Sequence, residues 1–255
     1  MTDNNAKEII KQYAIRLGDD ALVQGHRLSE WCRNGPFLEE DLALTNVALD
    51  FIGRARMFYS YAADIDGGDY SEDSYAYQRD CRDFTNLLIH ELPGGDFAFT
   101  MARQYLMDEY SLMFMERLCD SSDETLAAVA AKSVKESRYH LRRSRDWMLR
   151  LGDGTQESHK RLQKALGDLW GYMPEVFELD DLEQGLADQG IAVDSAALKG
   201  GWEKAVRATF SEATIDVPAD DWSVRGGRQG MHTEYLGHML SDLQFVQRAY
   251  PGQEW

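Results

Sequence analysis

Apolar positions along this chain recur at three- and four-residue steps, the spacing of one face of an α-helix. Ile10, Tyr13, Leu17, Gln24, Leu28 and Trp31 form the first such stripe and predict a helix from Asn5 to about Trp31. "RNGPF" ends it, because Asn and Gly stop a helix and Pro36 suits the start of the next. A second helix is predicted from about Leu38 to Ala63, closed by "DIDGGD", and a shorter one over 71–92, stopped by "LPGGD". Long helices follow from Phe97 to Leu118 and from Glu124 to Leu151, the latter capped by "DSSDE" and ended by "GDG". Another runs to about Tyr172. The acidic stretch 175–225 reads as short helices and loops, and "MHTEYLGHMLSDLQFVQRAY" as a last helix ended by "PG". No alternating strand pattern and no short-period repeat stands out.

These elements predict an all-α fold. Four long helices over 1–152 form the core of a four-helix bundle, and 153–255 is a helical extension packed onto it. No flexible linker separates the two, so 1–255 is expected to be a single domain. Apolar residues make up 44% of the 255, ample for a core. The net charge of −17 argues against nucleic-acid and anionic-membrane partners, whose phosphates it repels. Cys32, Cys81 and Cys119 are odd in number and far apart, which argues against a disulfide framework and a thiolate zinc site. "MTDNNAKEII" lacks the basic-then-apolar design of a secretion signal, and no apolar run is long enough for a membrane span. A cytoplasmic location is therefore expected.

Each long helix carries an acid on a stripe that reads as inward: Asp20, Asp50, Asp108 and Glu136. Asp50 lies with Ala43, Asn46 and Gly53, and Glu136 with Ser133 and Tyr139. Asp20 and Asp50 are 30 residues apart and Asp108 and Glu136 28, the spacing of two similar helical hairpins. Ferritin-like di-iron bundles place one Glu on each of two helices and a Glu-x-x-His on each of the other two. Here the positions of the two imidazoles hold Gly53 and Tyr139. Glycine offers no ligand, and a phenol with a pKa near ~10 is a poor one at neutral pH. Three of the four acids are Asp, with a shorter reach than Glu. The residues thus outline a relic di-iron site deficient in both nitrogen ligands. Buried acids that have lost a metal need replacement cations or protons. Lys132, four residues before Glu136, and Arg54, four after Asp50, are the candidates for that compensation. The competing reading is an active di-iron or di-manganese oxygenase in which His140, or less directly His26, stands in as ligand.

"KSVKESRYHLRRSRDWMLR" is basic in an otherwise acidic chain. It would dock an acidic partner or approach a phosphate of a nucleotide-bearing substrate, or simply pair with acids of neighbouring helices, the last being the expectation for most of its residues. "HTEYLGH" brings His232, Glu234 and His238 together at one helix start, where polar packing or a subunit contact is expected in preference to a metal.

Taken together, "LGDDALVQGHRLSEWC", "LALTNVALDFIGRAR", "NLLIHELPGGDFAFTMARQYLMD", "AAKSVKESRYHLRRSRDWMLRLGDGT" and "GMHTEYLGHMLSDLQFVQRAYPGQEW" resemble the C subunits of bacterial ring 1,2-phenylacetyl-CoA epoxidases, from about residue 15 to the C-terminus. The resemblance implies a ferritin-like fold and a structural, non-catalytic subunit. Its partner would be a related A subunit, which holds the di-iron centre and epoxidises the aromatic ring with O2. Electrons would come from NADPH through a flavin and iron–sulfur reductase. Larger A–C assemblies and self-association are implied as well. The family's di-iron motif falls on Asp20, Asp50 with Gly53, Asp108, and Glu136 with Tyr139; this chain departs from the catalytic pattern at both histidine positions, so no metal and no cofactor is expected here.

Overall fold

Helical patterning carries through to the computed structural model, which describes residues 3–68 and 70–253. The α-helices are α1 (Asp3–Ser29), α2 (Leu38–Asp66), α3 (Glu72–Tyr77), α4 (Phe97–Leu118), α5 (Glu124–Gly152), α6 (Gln156–Trp170), α7 (Met173–Val176), α8 (Asp181–Ala187), α9 (Ser195–Glu212) and α10 (Glu234–Ala249). Turns of 3-10 helix lie at Cys81–Asp83, Leu88–Glu91 and Gly227–Gln229. There is no strand among the described residues. The class is all-α, as the periodicity predicts, with two long helical hairpins, α1–α2 and α4–α5.

Residues divide into two compact units: 1–93 with 225–255, and 94–224. The first is built on the α1–α2 hairpin. Tyr13, Ala14, Leu17, Ala21 and Leu28 of α1 are buried, as are Leu44, Val47, Ala48, Phe51, Ala55 and Phe58 of α2. An ion pair of 2.7 Å between Lys11 and Asp66 ties the start of α1 to the end of α2, as antiparallel neighbours allow. Gly18 permits the closest approach. A Cβ there would meet Cε1 of Tyr59 at 2.4 Å, so only glycine lets that ring lie against α1. The last helix, α10, packs on α3 and on the turn at 81–83. Its buried Gln244 donates one amide hydrogen each to the carbonyls of Ala76 and Arg79, both at 3.0 Å.

The second unit is built on the α4–α5 hairpin, with α6 and α9 packed against it. Asp123 caps α5, accepting from the amides of Thr125 and Leu126, as "DSSDE" predicts, and Asp96 caps α4, accepting from the Phe99 amide. Thr155 and Ser158 form a capping box at the start of α6. Trp170, Trp202, Phe177 and Phe210 stack in an aromatic cluster, with ring centroids 5.2 to 6.1 Å apart. Trp202 also donates its indole N–H to the Leu106 carbonyl at 3.0 Å, fixing α9 to α4.

Two sequence expectations need correction. The stretch 175–225, expected to hold short helices and loops, contains the 18-residue α9. Gly200 and Gly201 weaken its helical propensity, but Leu198, Trp202, Val206, Thr209 and Phe210 give it a buried face that decides the outcome. The stretch 71–92, expected to be one helix, is the six-residue α3 followed by two 3-10 turns with an extended run at 84–87 between them. The reason lies in where its backbone N–H groups go.

Candidate functional site

In the first unit, two adjacent acids at mid-α1 draw a distant part of the chain onto the helix. Asp19 is fully buried and accepts from the Tyr59 hydroxyl at 2.6 Å, the Thr85 amide at 2.8 Å and the Thr85 hydroxyl at 3.1 Å. The Arg79 guanidinium completes its shell with bonds to both carboxylate oxygens. Asp20 accepts from the Leu87 amide at 2.8 Å. Amides 85 and 87 thus serve adjacent carboxylates, which requires the extended backbone of 84–87 in place of a helix.

Asp20 takes its counter-ion from the loop before α10. Arg228 donates to Oδ1 at 3.1 Å and to Oδ2 at 2.8 Å, and also to the Thr85 carbonyl at 2.7 Å. Burial raises the Asp20 pKa, against the opposing pull of Arg228 and the Leu87 amide. The close approach of this loop accounts for a glycine of "RGGRQG". A Cβ on Gly227 would stand 2.2 Å from the Asn86 carbonyl oxygen, so the loop that delivers Arg228 lies directly on the 84–87 strap.

A second buried acid, Glu91, closes the same region. Its Oε1 accepts from Asn86 at 3.0 Å and His232 Nδ1 at 2.6 Å; its Oε2 accepts from the amide and hydroxyl of Thr233 at 2.7 and 2.6 Å. His232 Nε2 lies 2.8 Å from the Phe84 carbonyl oxygen. His232 therefore performs polar packing, while Glu234 and His238 are exposed.

In the second unit, Asp108 is 1% exposed. Gln104, one turn earlier on α4, donates to Oδ1 at 2.7 Å, and Ser144 of α5 donates to Oδ2 at 2.7 Å. Burial raises its pKa to about 6, against the pull of His140, these two donors and Arg143. His140 is buried, and close enough for its charge to act on Asp108. Its neighbour Tyr139 is 42% exposed, with its ring 6.0 Å from the His140 ring and the Arg142 guanidinium 5.8 Å above it. Glu136, in the middle of α5, is half-buried and Lys132 is exposed.

Not every stripe that reads as inward is inward. On α2, Asp50 is half-buried, while Asn46 and Gly53 are exposed, and no atom lies within 4 Å of where a Gly53 Cβ would stand. Arg54 faces the buried side, with its guanidinium 5.0 Å from the Phe51 ring centroid. His26 is half-buried on α1, its pKa lowered by burial. Of the basic stretch, Arg138 pairs with Glu116 at 2.8 Å and Arg145 with Glu212, as internal pairing expects. Lys132, Lys135 and Arg142 remain exposed.

Within either unit, no three His, Cys, Asp or Glu side chains among the described residues group as they would to hold a metal ion. No helix among them is long and apolar enough to cross a membrane. Sequence reasoning found Asp20 and Asp108 but missed Asp19, Arg79, Glu91 and Arg228. The doubled acid at 19–20 and the glycine-flanked arginine in "RGGRQG" were the available signals.

The family model described as phenylacetic acid catabolic protein matches residues 1–255. The chain belongs to that family. It is 48% identical over 243 residues to the C subunit of the 1,2-phenylacetyl-CoA epoxidase of Escherichia coli (strain K12), covering 95% of this chain and 98% of that protein. Against this background the acids of α1 and α4 gain interest, because each carries protein donors on both oxygens.

Proposed function

We propose that this chain is a non-catalytic subunit of a phenylacetyl-CoA epoxidase complex, binding and stabilising a catalytic A subunit in aerobic phenylacetate breakdown. The di-iron centre resides in that A subunit, and electrons reach it from NADPH through a flavin and iron–sulfur reductase. This chain holds no cofactor of its own and works in the cytoplasm, within A–C assemblies.

The donor set around Asp20 and Asp108 carries this reading. A di-iron pair is bridged by carboxylates whose lone pairs are free for metal. Here Arg228 and Leu87 engage both oxygens of Asp20, and Gln104 and Ser144 engage both oxygens of Asp108. Gly53 supplies no side chain, and Tyr139 is 42% exposed. These residues do not fit a di-iron centre. Arg228 compensates Asp20, and a raised pKa with neutral donors serves Asp108, in the roles that the sequence suggested for Arg54 and Lys132 at Asp50 and Glu136. The likeness to the C subunit of an epoxidase supplies the pathway.

Co-expression with the A subunit, followed by size measurement and iron analysis of each chain, tests the proposal. A stable complex is expected, with iron in the A subunit alone. About two irons per copy of the isolated chain, with O2 reactivity on reduction, would instead establish it as an oxygenase in its own right.

A further inference from the structure

Helix α2 has two apolar faces, and the α1–α2 hairpin uses only one. Leu44, Val47, Ala48, Phe51, Ala55 and Phe58 are buried. On the side of the same helix that α1 leaves open, Leu38 is 69% exposed, Leu42 55% and Leu49 59%, with half-buried Thr45 in the row; Ile52, 38% exposed, ends it at the border with α1, where a Cβ on Gly25 would stand 3.1 Å from its Cγ1. The steps along 38, 42, 45, 49 and 52 alternate between four and three residues, a repeat of 3.5. That repeat is the seam of helix-on-helix packing at about +20°, where each side chain enters a hole on a facing helix. A scatter of tolerated surface leucines would not keep this register. At ~1.5 Å per residue the seam runs for about 21 Å. Open ground at Gly53, beside Ile52, lets a facing backbone come close.

We infer that this face of α2 is the docking surface for a helix of a different chain, one with an apolar seam flanked by lysine or arginine. The flanks decide against a second copy. Asp41 lies on one side of the seam and Glu39 and Asp50 on the other, so two copies paired seam to seam would bring acids together. A net charge of −17 adds to the repulsion. A basic-flanked helix meets the same acids favourably. The inference deepens the proposed subunit role and rests on it: the helix belongs to the A subunit.

The test compares the full-length chain with the L42E/L49E double variant, each co-expressed and titrated with the A subunit. Both leucines are exposed, so the isolated variant is expected to keep wild-type helicity and urea midpoint, while affinity falls roughly 100-fold or more. Leu49→Gln alone is expected to weaken binding about tenfold. Phe245→Glu on α10, where the phenyl is 66% exposed, serves as a control that leaves binding unchanged. Wild-type affinity in both seam variants overturns the inference while leaving the subunit role intact. Self-association of the wild type that the double variant abolishes also overturns it, by assigning the seam to a second copy. Failure of the wild type to bind the A subunit sinks the subunit role itself, and this assignment with it.

Discussion

Asp20 on α1 and Asp108 on α4 occupy corresponding places in two helical hairpins, yet they are kept by different means. Asp20 and its neighbour Asp19 hold fixed cations, Arg228 and Arg79, brought in from other parts of the first unit, together with amides of an extended strap. Asp108 accepts from two neutral donors of its own hairpin, and burial pushes its pKa up to about 6 despite the pull of nearby His140 and Arg143. A carboxylate in a low-dielectric site is stabilised either by a partner charge or by a proton. The first solution organises sequence far away, at the cost of making the fold depend on it. The second is local, and leaves the site sensitive to pH.

The largest expected effect breaks the first solution. Asp19→Ala strands a buried guanidinium and leaves the Thr85 amide and Tyr59 hydroxyl without their acceptor. Breaking one side of a buried pair costs about 3–5 kcal/mol. Urea unfolding should show a midpoint lowered accordingly, along with hydrogen-exchange protection lost over 84–91. A loss below ~1 kcal/mol would mean that the strap is held by its apolar contacts alone, and the contrast with Asp108 would collapse.

The second solution predicts the opposite sign. Asp108→Asn keeps a carbonyl for Gln104 and an amide for Ser144, and removes a group that resists ionisation. Because the folded pKa of about 6 lies above the ordinary value of 3.8, the folded state binds more protons in that window. Stability attributable to Asp108 is therefore highest below the lower value and falls as pH rises towards the upper one. Above it the wild type carries a penalty of about 3 kcal/mol that the variant lacks. Thermal unfolding at pH 7.5 should show the variant equal or more stable. Marked destabilisation there would indicate that the charge of Asp108 is balanced after all.

Most of the helical layout was legible because apolar period and stop signals agree for α1 and α2, and a capping acid supports α5. The failures have particular causes. A glycine pair hid α9, whose buried face at Leu198, Trp202 and Phe210 outweighs local propensity. The strap at 84–87 reads as helix because nothing local reveals that its amides are needed by Asp19 and Asp20, some 66 residues away. Asp20 and Asp108 were visible as acids on apolar stripes. Arg228, 208 residues from Asp20, was not, since only tertiary closure brings it there. On α2, the small polar stripe through Asn46 and Gly53 reads as inward, although the bulkier row Leu44, Val47, Phe51, Phe58 is the one that packs.

The smallest expected effect sharpens the comparison at Glu91. His232 places Nδ1 2.6 Å from a carboxylate oxygen and Nε2 2.8 Å from a carbonyl oxygen, and neither oxygen can donate. Both ring nitrogens must therefore carry hydrogen for both bonds to form, which makes the bound form imidazolium. Burial opposes the charge, but the hydrogen bond and charge of Glu91, the Phe84 carbonyl and the nearby Asp19 outweigh it and raise the pKa above 6.5. The nearby cations hold other acceptors: Arg27 donates to the Glu91 backbone carbonyl, and Arg79 belongs to Asp19. A raised folded pKa means stability fully present below pH 6.5 and lost as pH climbs through the folded value. The first unit thus has a pH response above the window in which Asp108 acts on the second. His232→Gln keeps one hydrogen bond and should flatten that response, removing about 1 kcal/mol of stability at about pH 6 and less at about pH 8. Nitrogen chemical shifts of His232 followed from about pH 5.5 to 9 measure the protonation directly: a midpoint below about 6.5 would show a neutral ring, and would leave the first unit held by its arginines alone.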